Sequence, residues 1–299
     1  MKTKIWGCIL GAVMFASALQ SCQTQVEIPD GAVYPILFGS TETRAVADLD
    51  DLKTNGFKVY AYFQGNVGGS ASFANNVKHA VVEGLDVWSF ETPEYWIPNT
   101  NYWFKAVYPG NAAVVDNNNN DQTLTIADYD IQSQTDVMVA TATASVAENA
   151  TAPTSGSVVN LQFKHLLANV VVKIKAEVNV TINDMAIKYV PVKCNYTNGS
   201  WSETSQGNIE KEGVNAKLSP GANPAEIDFL VIPQTVNGGQ KLYIKTSDKT
   251  YDIAIPATTW NAGTKYTYTL TIKQNDILFD EPSVEEWDEE SAVGSVVIK

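Results

Sequence analysis

The sequence predicts an all-β protein, two antiparallel β-sandwich domains in tandem, and three observations predict it. Apolar and polar residues alternate with a period of two in one short run after another. Turn-forming residues separate those runs. No stretch beyond residue 22 sustains a helical apolar period over several turns.

Taken in order, the first clear run is Phe57–Phe63, with Phe57, Val59, Ala61 and Phe63 on one face and Lys58, Tyr60 and Tyr62 on the other. The same alternation recurs at Tyr102–Tyr108, Val170–Val178, Ile227–Ile232, Leu242–Ile244, Tyr251–Ile255 and Tyr266–Ile272. Between the runs lie Gly68-Gly69, Pro109-Gly110, Asn198-Gly199, Pro220-Gly221, Asn237-Gly238-Gly239 and Asn261-Ala262-Gly263, all turn formers. Short helical turns are expected only near Asp48–Lys53 and Lys164–Leu167. Closely spaced strands without intervening helices favour antiparallel sandwiches over βαβ units. Residues 141–156 are small, polar and poor in core formers, as a linker or long exposed loop would be, which sets domains at 45–150 and 151–299.

The N-terminus points to export. Lys2 and Lys4 precede a weakly polar run from Ile5 to Leu19, about the length of a secretory apolar segment and short for a bilayer-spanning helix. Leu19-Gln20-Ser21-Cys22 then resembles a bacterial lipobox, which implies a signal peptide over residues 1–22, cleavage before Cys22 and acylation of that cysteine. The plainer alternative is an ordinary signal peptide with Cys22 as a bystander. Acyl chains would anchor the protein durably, each buried CH₂ contributing about 0.8 kcal/mol. Cys8 leaves with the signal and Cys22 carries lipid, so Cys194 remains alone and an intramolecular disulfide is excluded in the mature chain. Losing residues 1–22 removes two lysines and no carboxylate, taking the formal charge from −13 to −15. That balance argues against nucleic acid and anionic lipid surfaces as partners.

Catalysis has little to work with, and the expectation is a protein that is not an enzyme. The two histidines are His79 and His165; the second, in Phe163-Lys164-His165-Leu166-Leu167, reads as a structural histidine. No serine sits in a G-x-S-x-G setting, and Cys194 reads as a buried inert thiol. The polar run Asp116 to Asp121 has oxygen ligands, but Asp121 and Ala127 stand where a calcium loop needs glycine and glutamate. No metal or other cofactor is therefore expected. Trp88, Tyr95, Trp96, Tyr102 and Trp103 fall close together; exposed, they could stack on sugar rings, and buried, they are core. Past Tyr266–Ile272 comes the apolar patch Ile277-Leu278-Phe279, then an acidic run from Asp280 to Glu290, then Val293 to Ile298. Apolar β-branched segments set off by a charged linker need a groove or sheet edge to pair with.

Several segments together resemble the fimbrillins of Bacteroidales, the subunits of type V pili. They are the lipobox at Cys22, Ile36-Leu37-Phe38 followed by Glu42-Thr43-Arg44-Ala45, Phe57-Lys-Val-Tyr-Ala61, Tyr102 to Pro109, Asp136-Val-Met-Val-Ala140, Leu161 to Ala168, and Trp260 to Leu270. The resemblance implies transthyretin-like sandwich domains and a precursor that reaches the outer membrane as a lipoprotein. It implies that an arginine-specific or trypsin-like protease cuts between Arg44 and Ala45, ending a propeptide over 23–44. Loss of the leading strand, Tyr34–Gly39, would open a groove for the C-terminal segment of another subunit. The donor would be the tail 277–299, with Ile277, Leu278, Phe279, Val296, Val297 and Ile298 as its apolar residues. Repeated head to tail, such β-augmentation builds a filament and not a closed ring. Partners are then other pilus subunits, the outer membrane through lipid on Cys22, and a host glycan or protein. The alternative is a monomeric surface lipoprotein that binds glycan through the Trp88–Trp103 aromatics.

Overall fold

The computed structural model describes residues 34–39, 49–65, 69–82, 85–116, 123–274, 276–280 and 282–287. Strand β1 (Leu37–Gly39) is followed by helix α1 (Leu49–Asn55), which stands where a helical turn is expected. Gly56, at φ 61°, closes that helix by donating its N–H to the Leu52 carbonyl at 3.0 Å, the left-handed cap that glycine adopts most easily. Next come β2 (Lys58–Gly65), β3 (Gly69–Val82), β4 (Leu85–Phe90), β5 (Thr100–Tyr108), β6 (Val114–Asp116) and β7 (Leu124–Asp130). A 3-10 turn at Ile131–Ser133 leads to β8 (Met138–Val146), β9 (Val158–Asn160), β10 (Lys164–His165) and β11 (Ala168–Ala176). Strands β12 (Val180–Thr197) and β13 (Ser200–Lys211) form a long hairpin across Asn198-Gly199. Their φ values of 47° and 89° are the two positive angles that a type I′ turn demands. The order ends with β14 (Ala216–Leu218), β15 (Ala225–Val231), β16 (Gln234–Val236), β17 (Lys241–Thr246), β18 (Thr250–Ala254), β19 (Thr258–Trp260), β20 (Thr264–Ile272), β21 (Ile277–Phe279) and β22 (Ser283–Glu286).

The strands make a nearly all-β fold of several sheets. An eight-stranded sheet runs β10-β8-β5-β2-β3-β4-β1-β9. Strand β3 bridges its two halves, pairing β2 through Gly69–Asn76 and β4 through Val77–Val82. A five-stranded sheet runs β15-β11-β20-β21, with β22 also on β20. A seven-stranded sheet is built around β12, which pairs β17, β7, β13 and β14, while β16 and β19 pair by themselves.

Two apolar clusters fill the space between sheets. One gathers Ile36, Phe38, Phe57, Trp88, Phe90, Trp96, Tyr102 and Phe104; the other surrounds Ile187, Phe229, Trp260, Tyr268 and Leu270. Strand β2 contributes to both, Val59 and Ala61 to the first and Tyr60 and Tyr62 to the second. Because successive side chains point to opposite faces, β2 is covered on both. The tyrosine face, which sequence alone left as merely the other side, is core.

Three expectations are corrected. Residues 141–146 are strand, not the start of a linker: β8 runs to Val146, paired with β5 throughout, and Ala142 and Ala144 pack on the first cluster. Lys164–Leu167 is not a helical turn. Leu161, Phe163 and His165 are buried while Gln162 and Lys164 are exposed, a strand period that carries β10 onto β8. The chain also crosses between sheets around the expected boundary, since β7 pairs β12 while β9 and β10 join the eight-stranded sheet. Long strands β3 and β8 were hidden because glycine, alanine, serine and asparagine carry little apolar contrast.

Candidate functional site

The leading strand sits inside a sheet and not on its edge. Strand β1 pairs antiparallel with β4, Leu37 opposite Ser89 and Phe38 opposite Trp88. On its other side it pairs parallel with β9, Leu37 opposite Val158 and Gly39 opposite Asn160. Flanking backbone bonds extend the ladder. Ile36 N–H donates to the Glu94 carbonyl at 2.8 Å, Trp96 N–H to the Tyr34 carbonyl at 3.1 Å, and Leu161 N–H to the Gly39 carbonyl at 2.8 Å. Side chains alternate as the ladder requires: Ile36 and Phe38 are buried, at 2% and 0% exposure, with Leu37 between them half-buried. The Phe38 ring meets Phe90 edge-on at 5.0 Å and Phe104 at 5.6 Å. Gly39 fits because a Cβ there would come within 3.0 Å of the Val158 Cγ1. Without residues 34–39, β4 and β9 would each lose a partner and two deep apolar seats would empty.

The tail begins docked on its own chain. Ile277, Leu278 and Phe279 form β21, opposite Ile272, Thr271 and Leu270 of β20. Ile277 and Phe279 pack on the second cluster, whereas Leu278 faces outward. Strand β22 then pairs Val284 with Tyr266 and Glu285 with Lys265, whose Nζ lies 2.8 Å from Glu285 Oε1. Trp287 closes this stretch. Its N–H donates to the Gly263 carbonyl at 3.0 Å, and its ring stacks on His165 at 4.0 Å and 17°. His165 Nδ1 lies 2.5 Å from Asp136 Oδ2, so the histidine is a buried, hydrogen-bonded platform, as the structural reading expected. The sequence shows Asp136 only as the first residue of the Asp136–Ala140 segment, with no sign of its contact with His165; the buried period at Leu161, Phe163 and His165 is the available signal for this corner.

Cys22, Arg44, Ala45, Val296, Val297 and Ile298 lie outside the described residues, as does the Asn run 117–120. The aromatic group is resolved: Trp88, Trp96 and Tyr102 are buried in the first cluster, Trp103 packs partly buried on the second, and Tyr95 is exposed. Trp88, Trp96 and Tyr102 therefore build the fold and offer no face for a sugar to stack on. Cys194 is buried, and desolvation, with the Glu203 carboxylate adding to it, pushes its thiol up to about 11. A thiol so raised stays protonated near neutrality and is a poor nucleophile. His79 lies 2.7 Å from Asp86, whose carboxyl is held below its ordinary value by that contact first and by Lys53 after it. Among the described residues, no group of three or more histidine, cysteine, aspartate or glutamate side chains converges as a metal site would.

Comparison with known proteins places this arrangement. A fimbrial protein from Bacteroides vulgatus matches in structure with a TM-score of 0.62 at 17% identity, over 85% of this chain and 99% of that one. A candidate cell adhesion protein from Bacteroides uniformis matches with a TM-score of 0.56 at 15% identity, over 87% and 100%. Another from Parabacteroides distasonis gives 0.51 at 10% identity, over 90% and 99%. At such identities the likeness is one of fold, a fimbrillin-like β-sandwich fold. No curated protein matches by sequence. The family model described as fimbrillin-like matches residues 43–287, the whole body from the expected cleavage point to the tryptophan at the root of the tail, and the chain belongs to that family.

Proposed function

We propose that the protein is a structural subunit of a surface fimbria, made as an outer-membrane lipoprotein and assembled by exchange of strands between copies or paralogous subunits. The observation that carries this is the interior position of residues 34–39. That segment occupies a slot between β4 and β9 and stands just before Arg44, the single arginine of the sequence. On this reading Cys22 carries the lipid and a protease cuts between Arg44 and Ala45. The leading segment leaves, and the tail 277–299 of another subunit supplies the missing strand, its apolar residues replacing Ile36 and Phe38. The two apolar clusters then belong to two transthyretin-like sandwich domains, 45–150 and 151–299, with β7 and the β9–β10 segment crossing between them. Membership in a fimbrillin-like family and a fold shared with a fimbrial protein support the role. The role is structural and adhesive, without catalysis.

The test is the cut. Treated with an arginine-specific protease, the native precursor should lose its leading segment and polymerise, whereas Arg44→Ala should stay full length and monomeric by size-exclusion chromatography. Polymer of normal size from uncut Arg44→Ala would remove the leading segment from the mechanism.

A further inference from the structure

Strand β12 carries a bulge that the fold does not need a tyrosine to make. Lys188 pairs with Asn208 and Val190 with Gly207, so Tyr189 between them pairs with no residue of β13. Ile187 and Val190 are both fully buried and lie three positions apart instead of two, which leaves Lys188 and Tyr189 together on the outer face of the sheet. Tyr189 is 54% exposed, and its φ of 63° lies in the left-handed region, where a bulky side chain is an outlier. The bulge itself has a structural reason, since it falls between the stretch of β12 that pairs β17 and the stretch that pairs β7. Glycine or asparagine would meet that need with less strain. A tyrosine adds strain here and gains little burial for it, the combination expected of a side chain kept for contact with a ligand.

We propose that Tyr189, with the Lys188–Asp252 pair beside it, is a binding site for neutral sugar chains. This gives the adhesive part of the reading above a partner class and makes no use of strand exchange. The Lys188 ammonium is held in place, 4.1 Å from the centre of the Tyr243 ring and 3.2 Å from Asp252 Oδ2. Farther along β17, Lys245 Nζ lies 2.8 Å from Asp184 Oδ2, and the other oxygen of Asp184 accepts the Gly213 N–H at 3.0 Å. Fixed donors and acceptors beside an exposed ring suit a pyranose. Its apolar C–H face lies on the tyrosine, and its hydroxyls, each both donor and acceptor, reach the charged groups at the rim.

Charge and surroundings select this class of partner. Each lysine faces a carboxylate, so these four groups present no net charge to attract an ionic ligand. A protein partner would call for an apolar centre. Among the described residues, no other exposed large apolar side chain lies on β12, β13, β17 or β18. A lone ring in a hydrogen-bonding surround fits a sugar.

The experiment titrates the full-length, uncut chain with linear tetrasaccharides of mannose, galactose and glucose, followed by calorimetry, and records a thermal melt of every variant. At least one tetrasaccharide should bind the parent chain. Tyr189→Asn should weaken that binding roughly tenfold or more while raising the melting temperature by roughly 2 °C or more, because the strain is relieved. Tyr189→Trp, which keeps a ring, should bind within about threefold of the parent. Lys188→Met, which keeps the stem and loses the ammonium, should bind roughly threefold to tenfold more weakly. Absence of binding to all three sugars, equal binding by Tyr189→Asn, or a lower melting temperature in that variant would overturn the proposal. Retention of the parent but not of Tyr189→Asn on immobilised gelatin, with no tetrasaccharide bound, would assign the ring to a protein partner and overturn the sugar. A chain that joins into filaments after cleavage yet binds no sugar overturns this proposal alone, and one that binds sugar but never joins overturns strand exchange alone.

Discussion

Phe38→Ala is expected to cost about 3–5 kcal/mol, the range for removing a fully buried aromatic ring, and to spend that loss locally. The ring has no exposure and touches Phe90 and Phe104 edge-on, so its removal leaves a cavity walled by two other rings. The backbone bonds of the leading segment contribute about 1 kcal/mol each, net, so this one ring weighs as much as several of them. The second cluster contains no residue of β1 and should keep its stability. Hydrogen exchange checks this directly. The Ile36 and Leu161 amides, which donate to Glu94 and Gly39, should exchange at least about a hundredfold faster, with β20 amides unchanged. A uniform loss across both clusters would mean that β1 is an integral part of the body. Because the slot would then open without a cut, the same variant should also join other subunits slowly in the absence of protease.

Trp287→Ala should be the other large effect, about 3 kcal/mol, confined to the root of the tail. The ring covers His165 just past the end of β22, whose own residues are mostly exposed, Val284 at 58%. Removing the ring leaves the Glu285 ion pair, which as a surface contact contributes at most about 1 kcal/mol. A glutamate-specific protease should therefore cut at Glu285 and Glu286 much faster in the variant than in the parent chain, and Trp287→Phe should restore most of the protection. If Trp287→Ala is no more sensitive, the strand pairing alone anchors the tail.

Much of this was legible in the sequence for a physical reason. Strands such as β5, β11, β15, β17 and β20 bury one face against a core, so their residues alternate visibly, and Asn198-Gly199 names its own turn. Strands β3 and β8 were not legible as strands, because their small residues carry almost no apolar contrast. Nor was the second buried face of β2, since tyrosine serves equally well in core and at a surface. Of the candidate site, Ile36-Leu37-Phe38 was readable as a strand, but not its place between an antiparallel and a parallel neighbour. That depends on β9, three residues set far along the chain. The latch of Asp136, His165 and Trp287 joins His165 to a carboxylate 29 positions before it and to a ring more than a hundred positions after it, contacts that no local pattern encodes.

The central claim is that the tail 277–299 of one subunit replaces residues 34–39 of the next. The most direct measurement is electron microscopy of precursor lacking residues 277–299 after cleavage with an arginine-specific protease, beside the cleaved full-length chain. Strand exchange predicts that both are cut at Arg44 and that only the full-length chain forms filaments. Filaments of normal length from the truncated chain would contradict it.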